Sequence, residues 1–91
     1  MNIFPLKILT PETDDLCMDV TQVSIRTYIG TMGVMAKHEP LLVACPQGII
    51  RIQKDGTWEN YESDTFIMSS DGITVTILSS GVKVVHEKGI H

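Results

Sequence analysis

The sequence has little positive charge, and the positive charge is not clustered. Seven Lys and Arg residues stand against eleven Asp and Glu residues, which gives a net charge of -4 at pH 7. The basic residues are scattered along the chain between Lys7 and Lys88. A sequence-independent grip on nucleic acid needs clustered Lys and Arg to bind phosphates. We therefore expect no nucleic-acid partner.

Long apolar runs are missing as well. No stretch approaches the roughly 20 residues that a membrane-spanning helix needs. The first residues do not combine a basic region with a continuous apolar stretch, as a signal peptide does. We expect a protein that is soluble, or that is peripheral to a membrane through a partner, with the cytoplasm as the default compartment.

Cysteine is scarce, with Cys17 and Cys45 as the two examples. They could form one disulfide in a secreted chain, but we expect two free, buried thiols in a reducing compartment. Cys45 ends the apolar segment Leu41–Cys45, which is typical of a buried strand, where cysteine acts as a small hydrophobic residue. Cys17 follows two aspartates, whose charge disfavours a thiolate. Neither residue is predicted to be a catalytic nucleophile.

A helical pattern is absent too, since no segment repeats apolar residues at i, i+3, i+4 and i+7. The segment 22–28 instead alternates with a period of two, as does the run from Ile73 to Leu78. Asp55-Gly56 and Asp71-Gly72 are typical of tight turns between strands. Short strands separated by turns predict an all-β sandwich or barrel. We expect one domain over residues 1–91, with a frayed tail from about residue 87.

The segment from Gly30 to Leu42 reads Gly-Thr-Met-Gly-Val-Met-Ala-Lys-His-Glu-Pro-Leu-Leu, and Gly48-Ile-Ile-Arg-Ile follows it. Its two glycines are not followed by Gly-Lys-Ser/Thr, so a phosphate cradle is disfavoured and a tight turn is expected. Met35 is expected to fill the core, and Met32 to be exposed in this loop.

His38 is followed by Glu39, a pair that could belong to a metal or acid–base site. A metal needs three or four convergent ligands, and the other two histidines, His86 and His91, are far away in sequence. We expect His38 to hydrogen-bond the loop backbone, and we predict no catalytic, cofactor-binding or metal-binding residues.

The ordered combination of the G-x-x-G segment, H-x-P-L-L and the glycine-led strand resembles the epsilon subunit of rotary ATP synthases, in its N-terminal β-sandwich domain. The resemblance runs from Leu6 to about Val85. It implies a small sandwich of about ten short, mostly antiparallel strands without catalysis or cofactor. It also implies a rotor subunit that links the gamma subunit to the membrane ring (the c-ring), at the cytoplasmic face of the cell membrane. Such a subunit couples proton or sodium flow to ATP synthesis.

The resemblance also implies site residues. The ring-facing loop would consist of Gly30, Thr31, Met32 and Gly33. The residues that would face the gamma subunit are Thr10, His38, Leu42 and Val43.

This sequence departs from the family in two places. Thr31 stands where the family often has an acidic residue that can pair with basic ring loops. The sequence also stops at His91, whereas most members continue into a helical hairpin. Either the natural subunit is short or the chain is a truncated domain. In both cases ATP binding and inhibition by that hairpin are not carried over.

Two other functions fit the composition. One is a stand-alone β-sandwich that binds a small ligand or a peptide at an open edge strand. The other is a small enzyme or metal protein built around His38 and Glu39. The first would show a pocket with convergent polar groups, and the second a site with shifted pKa values.

Overall fold

A computed structural model describes residues 2–11 and 14–85, and these contain ten strands. The predicted frayed tail and His86 lie outside the described residues. Within the described residues no helix could span a membrane. The strands are β1 (Phe4–Leu9), β2 (Leu16–Val20), β3 (Gln22–Thr27), β4 (Gly30–Met35), β5 (Leu41–Cys45), β6 (Gly48–Lys54), β7 (Thr57–Ser63), β8 (Phe66–Ser70), β9 (Val75–Ser79) and β10 (Val82–Val85).

The strands form two five-stranded sheets. The first sheet has the order β2-β1-β9-β8-β5, and the second has the order β10-β7-β6-β3-β4. Neighbouring strands are antiparallel, except that β1 and β9 run parallel. The predicted all-β sandwich of about ten short, mostly antiparallel strands is therefore confirmed.

The core lies between the two sheets, because alternate residues of each strand point inward. Val23 and Ile25 of β3 are buried, and so are Ile50 and Ile52 of β6, as the alternation predicts. The buried hydrophobic residues are Phe4, Leu6, Ile8, Val20, Val23, Ile25, Val34, Cys45, Ile50, Ile52, Tyr61, Phe66, Met68, Val75 and Ile77. Both sheets contribute to this one cluster.

The connections between the strands lie at the ends of the sandwich. The β3–β4 turn lies at one end, which we call the hairpin end. There the buried hydroxyls of Ser63 and Ser79, one from each sheet, are 2.8 Å apart and hydrogen-bonded. At the opposite end, Thr21 Oγ1 donates to the carbonyl oxygen of Gln53 at 3.0 Å. Hydrogen bonds thus reinforce the sandwich at both ends.

The β6–β7 hairpin confirms the predicted Asp55-Gly56 turn. Asp55 has φ 51° and Gly56 has φ 79°. Two positive φ angles in a two-residue turn twist the strands in their natural sense, and glycine and aspartate tolerate them. Lys54 and Thr57 consequently pair directly across the turn.

The structure corrects the predicted start of β9. The strand begins at Val75, and Ile73 is exposed rather than buried with Val75 and Ile77. The carboxylate of Asp71 explains the difference, because its Oδ1 accepts hydrogen bonds from the backbone N–H groups of Ile73 and Thr74. These bonds keep the chain in the turn for two residues more than the side-chain alternation indicates.

The burial of Met32 and Met35 is the reverse of the prediction. Met32 faces inward opposite Ile25 and packs against the core, whereas Met35 is exposed. The prediction treated the segment around Met32 as a loop. In a strand, Met32 and Val34 share the inner face, and Met35 then has to point outward.

Both cysteines are free thiols, as predicted, but only one of them is buried. Cys45 points into the core, and burial raises the pKa of its thiol. Cys17 is exposed on β2 opposite Lys7, so the expectation of two buried thiols is wrong for this residue.

Candidate interaction surfaces

The predicted ring-facing residues 30–33 do not form a loop. They are the first four residues of β4, and the turn before them consists of Tyr28 and Ile29, which we call the hairpin tip. Thr27 Oγ1 fixes the hairpin tip by donating to the carbonyl oxygen of Gly30 at 2.7 Å and accepting from the N–H of Ile29 at 3.2 Å. The prediction of a tight turn was right, but the turn lies two residues earlier.

The two glycines of the segment have different roles. Gly30 has φ 135°, a conformation that side-chain-bearing residues rarely adopt, so it is the glycine that the turn requires. Gly33 has an ordinary strand conformation, and a Cβ built on it would lie 3.3 Å from Nε2 of Gln22. Gly30, Thr31 and Gly33 are exposed, whereas Met32 is half-buried. Three of the four predicted residues are therefore accessible.

His38 hydrogen-bonds the loop backbone, as predicted. Its Nδ1 lies 2.8 Å from the carbonyl oxygen of Met35, and its Nε2 contacts the hydroxyl of Ser70. A carbonyl oxygen can only accept, so Nδ1 carries the hydrogen of the bond to Met35. Ser70 Oγ in turn accepts from the N–H of Gly72 at 3.0 Å. The ring therefore fastens the β4–β5 connection to the β8–β9 turn.

The surroundings of His38 bear on the metal and enzyme interpretations. Both ring nitrogens are engaged by protein groups, and the ring makes an edge contact with Phe4, with centroids 5.6 Å apart. Across residues 2–11 and 14–85, no three His, Cys, Asp or Glu side chains converge as a metal site requires. These contacts give His38 a structural role.

The outer face of the first sheet carries an apolar row that the sequence analysis missed. Leu9, Leu78, Ile67 and Ala44 stand directly opposite one another across β1, β9, β8 and β5. Leu42, which is 76% exposed, lies on the same face two residues from Ala44. The alternation of these strands places the residues on the outside, but only the strand order makes them neighbours.

The predicted gamma-facing residues divide between three places. Leu42 lies on the outer face beside the apolar row. Thr10 follows β1 directly and lines an open groove of about 390 Å³ with Leu9 and Leu78. Val43 faces inward and packs against the core, and His38 lies at the end opposite the hairpin tip. Thr10 thus lies beside Leu9 and Leu78 at one end of the apolar row, Leu42 lies beside Ala44 at the other, and Val43 and His38 lie away from this row.

The outer face of the second sheet is mixed and mainly polar. Ser24, Arg51 and Asn60 stand opposite one another across β3, β6 and β7. The guanidinium carbon of Arg51 lies 4.6 Å from the centroid of the Trp58 ring. This cation–π contact holds the Trp58 ring against a residue of its own sheet.

Comparisons with known proteins agree with this architecture. The sequence model of the family described as "ATP synthase, Delta/Epsilon chain, beta-sandwich domain" matches residues 3–84. The ATP synthase epsilon chain of Caldicellulosiruptor bescii is 34% identical over 80 residues, which are 88% of this chain and 58% of that protein. That of Ruminococcus albus is 29% identical over 84 residues, 91% of this chain and 63% of that protein.

The fold has close structural counterparts. A chain in the cryo-EM structure of the Euglena gracilis mitochondrial ATP synthase (OSCP/F1/c-ring) superposes with a TM-score of 0.83 at 22% identity. The match covers 98% of this chain and 56% of that one. This chain therefore spans a little over half the length of its relatives. Because the family match covers residues 3–84, the resemblance carried by Gly30–Leu42 is confirmed, and the chain belongs to the beta-sandwich domain family of ATP synthase delta/epsilon chains.

Proposed function

We propose that this chain acts as a central-stalk subunit of a proton- or sodium-driven ATP synthase. It links the gamma subunit to the c-ring and so couples ion flow to ATP synthesis, without catalysing a reaction itself. It sits peripherally at the cytoplasmic face of the cell membrane, held there by its partners. Family membership over residues 3–84 supports this function over the stand-alone binding module.

The observation that carries the proposal is the apolar row on the outer face of the first sheet. Ile67 is 45% exposed although its direct neighbours across the sheet, Ala44 and Leu78, are apolar too. Isolated surface hydrophobic residues are normal, but an aligned group is typical of a surface that a partner covers. Burying apolar area contributes roughly 25 cal/mol per Å². We assign the gamma subunit to this face, with Leu42 at one side and Thr10 at the other.

The structure of the sandwich fits a part that transmits torque. The two sheets share one core, and the Ser63–Ser79 and Thr21–Gln53 hydrogen bonds reinforce its two ends. Densely packed interiors deform little, so a force applied at the outer face reaches the hairpin end with little loss. His38 adds to this stiffness by holding two connections at the other end.

A pair of matched variants tests the assignment of the gamma subunit. Ile67→Lys places a charge in the apolar row, and Ile49→Lys places the same charge on the outer face of the second sheet, where Ile49 is 40% exposed opposite Glu62. We expect Ile67→Lys to weaken binding to the gamma subunit from the same cell by about tenfold or more, because it desolvates a lysine against apolar side chains. Titration of labelled gamma subunit, monitored by fluorescence anisotropy, measures both affinities.

The control variant makes the result interpretable. We expect Ile49→Lys to bind the gamma subunit as tightly as the unmodified chain does. If Ile67→Lys bound the gamma subunit as tightly as the unmodified chain does, the gamma subunit would not bind at this face. Absence of gamma binding by the unmodified chain would favour the stand-alone binding module instead.

A further inference from the structure

Two aspartates of this chain are followed by glycine, and they lie in two different turns. Asp55-Gly56 forms the β6–β7 turn, and Asp71-Gly72 lies in the β8–β9 turn. In an Asp-Gly pair the main-chain nitrogen of glycine can attack the carboxyl group of the aspartate, because glycine has no side chain that obstructs the approach. The chain therefore contains the same reactive pair in two structural settings.

Both reacting groups of Asp71-Gly72 are occupied. Oδ1 of Asp71 accepts hydrogen bonds of 2.9 Å from the N–H groups of Ile73 and Thr74. The bond from Thr74 first, and that from Ile73 second, lower the pKa of Asp71 and keep it a carboxylate, which is a poorer electrophile than a carboxylic acid. The N–H of Gly72 donates to Oγ of Ser70 at 3.0 Å. Neither the carboxylate nor the nitrogen is free to react.

Both reacting groups of Asp55-Gly56 are free. Within residues 2–11 and 14–85, the carboxylate of Asp55 accepts no hydrogen bond and the N–H of Gly56 donates none. Both residues are exposed. A Cβ built on Gly56 would meet no atom within 4 Å beyond its chain neighbours, whereas one built on Gly72 would lie 3.5 Å from the carbonyl oxygen of His38. Water and the reacting groups thus have open access at the β6–β7 turn.

We propose that Asp55 is a site of spontaneous modification, at which the aspartate converts to isoaspartate through a succinimide, while Asp71 is protected by its turn. The reaction requires no partner, so this site is independent of the proposed function. It also requires no metal, oxidant or reductant.

The reaction releases one water molecule and consumes one. The main-chain nitrogen of Gly56 gives up its proton and bonds to Cγ of Asp55, and one carboxyl oxygen leaves as water. The product is a five-membered succinimide ring. Water then adds to one of the two ring carbonyl carbons and breaks its bond to the nitrogen. Opening at the main-chain carbonyl leaves the chain running through Cγ, which is isoaspartate, and opening at Cγ restores aspartate.

Conversion changes the turn in which it occurs. Isoaspartate adds one carbon atom to the main chain of a two-residue turn, across which Lys54 and Thr57 pair directly. The adjacent Gln53 accepts hydrogen bonds from the N–H and the hydroxyl of Thr21, at 2.8 and 3.0 Å. The modification therefore loosens the end of the sandwich that the Thr21–Gln53 bonds reinforce.

The test follows isoaspartate in the folded chain during incubation at neutral pH. Isoaspartyl methyltransferase with radiolabelled S-adenosylmethionine measures the total, and mass spectrometry of peptides assigns the sites. A protease that cuts after glutamate separates the two sites, because Glu59 and Glu62 lie between them. We expect isoaspartate to accumulate at Asp55 at least about tenfold faster than at Asp71, which corresponds to about 1.4 kcal/mol in the barrier, the order of a hydrogen bond to a charged group.

Unfolding and two matched variants provide the controls. In urea both turns are lost, so Asp55 and Asp71 should convert at similar rates, and detection of both products shows that the incubation is long enough. Glutamate would have to form a six-membered ring, which closes more slowly. Methylation of the folded chain should therefore be lost in Asp55→Glu and retained in Asp71→Glu.

Two outcomes would overturn the inference. The first is isoaspartate that accumulates no faster at Asp55 than at Asp71 in the folded chain, including the case in which both sites convert only in urea. The second is full methylation of folded Asp55→Glu, which would place the modified residue elsewhere in the chain.

Discussion

The two outer faces of the sandwich obey the same strand alternation but carry different chemistry. Across the first sheet, Ile67 has apolar neighbours on both sides. Across the second sheet, the similarly exposed Ile49 stands opposite the charged Glu62. Both inner faces are predominantly apolar, so folding alone does not explain why one outer face is apolar as well.

The difference between the outer faces distinguishes apolar residues that stabilise the fold from apolar residues that are available to a partner. A lone hydrophobic residue among charges, such as Ile49, has little to offer a partner. An aligned row offers a continuous apolar area without disturbing the core behind it. The second sheet keeps its aromatic residue, Trp58, in contact with its own Arg51. We therefore assign partner binding to the first sheet and solvent exposure to the centre of the second.

Neighbouring residues of β9 provide the largest expected effect. Ile77 is fully buried and Leu78 is exposed in the apolar row. Ile77→Ala should lower the free energy of unfolding by about 2–5 kcal/mol, because it leaves a cavity in the core. Leu78→Ala should change that free energy by less than about 0.5 kcal/mol, as surface substitutions do. Urea-induced unfolding measures both values.

The effects of the two substitutions on binding to the gamma subunit should have the reverse order of size. Leu78→Ala should weaken the affinity for the gamma subunit, whereas folded Ile77→Ala, assayed below its unfolding transition, should bind normally. A large stability loss in Leu78→Ala would mean that the apolar row belongs to the core. The outer face of the first sheet would then no longer differ from that of the second sheet in being available to a partner.

Sequence alternation predicted the core because, in a half-buried strand, the alternation of apolar and polar residues indicates which side chains face inward. It could not predict the apolar row, because a row is a property of several strands together. Leu9 and Leu78 become neighbours through the parallel pairing of β1 with β9. No local pattern specifies which distant strands pair or in what register.

The positions of the predicted site residues depend on strand pairing in the same way. The segment Leu41–Cys45 is apolar throughout, so its sequence does not reveal that Leu42 faces outward and Val43 inward. In the glycine-containing segment, two glycines suggested a loop. Only Gly30 has a positive φ, and the ladder with β3 keeps Gly33 in a strand. Pairing with neighbouring strands decided both cases.

A smaller effect is expected from the cation–π contact on the second sheet. Trp58 and Arg51 are both exposed, and such contacts contribute about 0.5–1 kcal/mol at exposed sites. A double-mutant cycle with Arg51→Ala and Trp58→Leu should give a coupling of that size in unfolding experiments. Gamma binding should be unchanged in all three variants. Lost gamma binding would extend the partner surface to the second sheet, and zero coupling would mean that the contact does not stabilise the fold.

The smallest effect at neutral pH is expected at the turn between β8 and β9, the strands that carry Ile67 and Leu78. Hydrogen bonds from the backbone N–H groups, that of Thr74 first and that of Ile73 second, lower the pKa of Asp71 below its ordinary value of 3.8. The folded protein therefore binds this proton less readily than the unfolded chain does. The carboxylate stabilises the turn above the ordinary pKa, and this stabilisation is lost as the pH falls through the lowered pKa.

Asp71→Asn isolates this contribution. The amide oxygen can still accept both N–H groups, so we expect little change in stability at pH 7. In acid, unfolding free energies measured in urea should fall less steeply for Asp71→Asn than for the unmodified chain. Asp19→Asn, at an exposed strand position, removes the same formal charge outside a turn and controls for net charge. Parallel pH profiles for Asp71→Asn and the unmodified chain would show that the turn bonds do not depend on the carboxylate charge. The alignment of Ile67 with Leu78 would then rest on strand pairing alone.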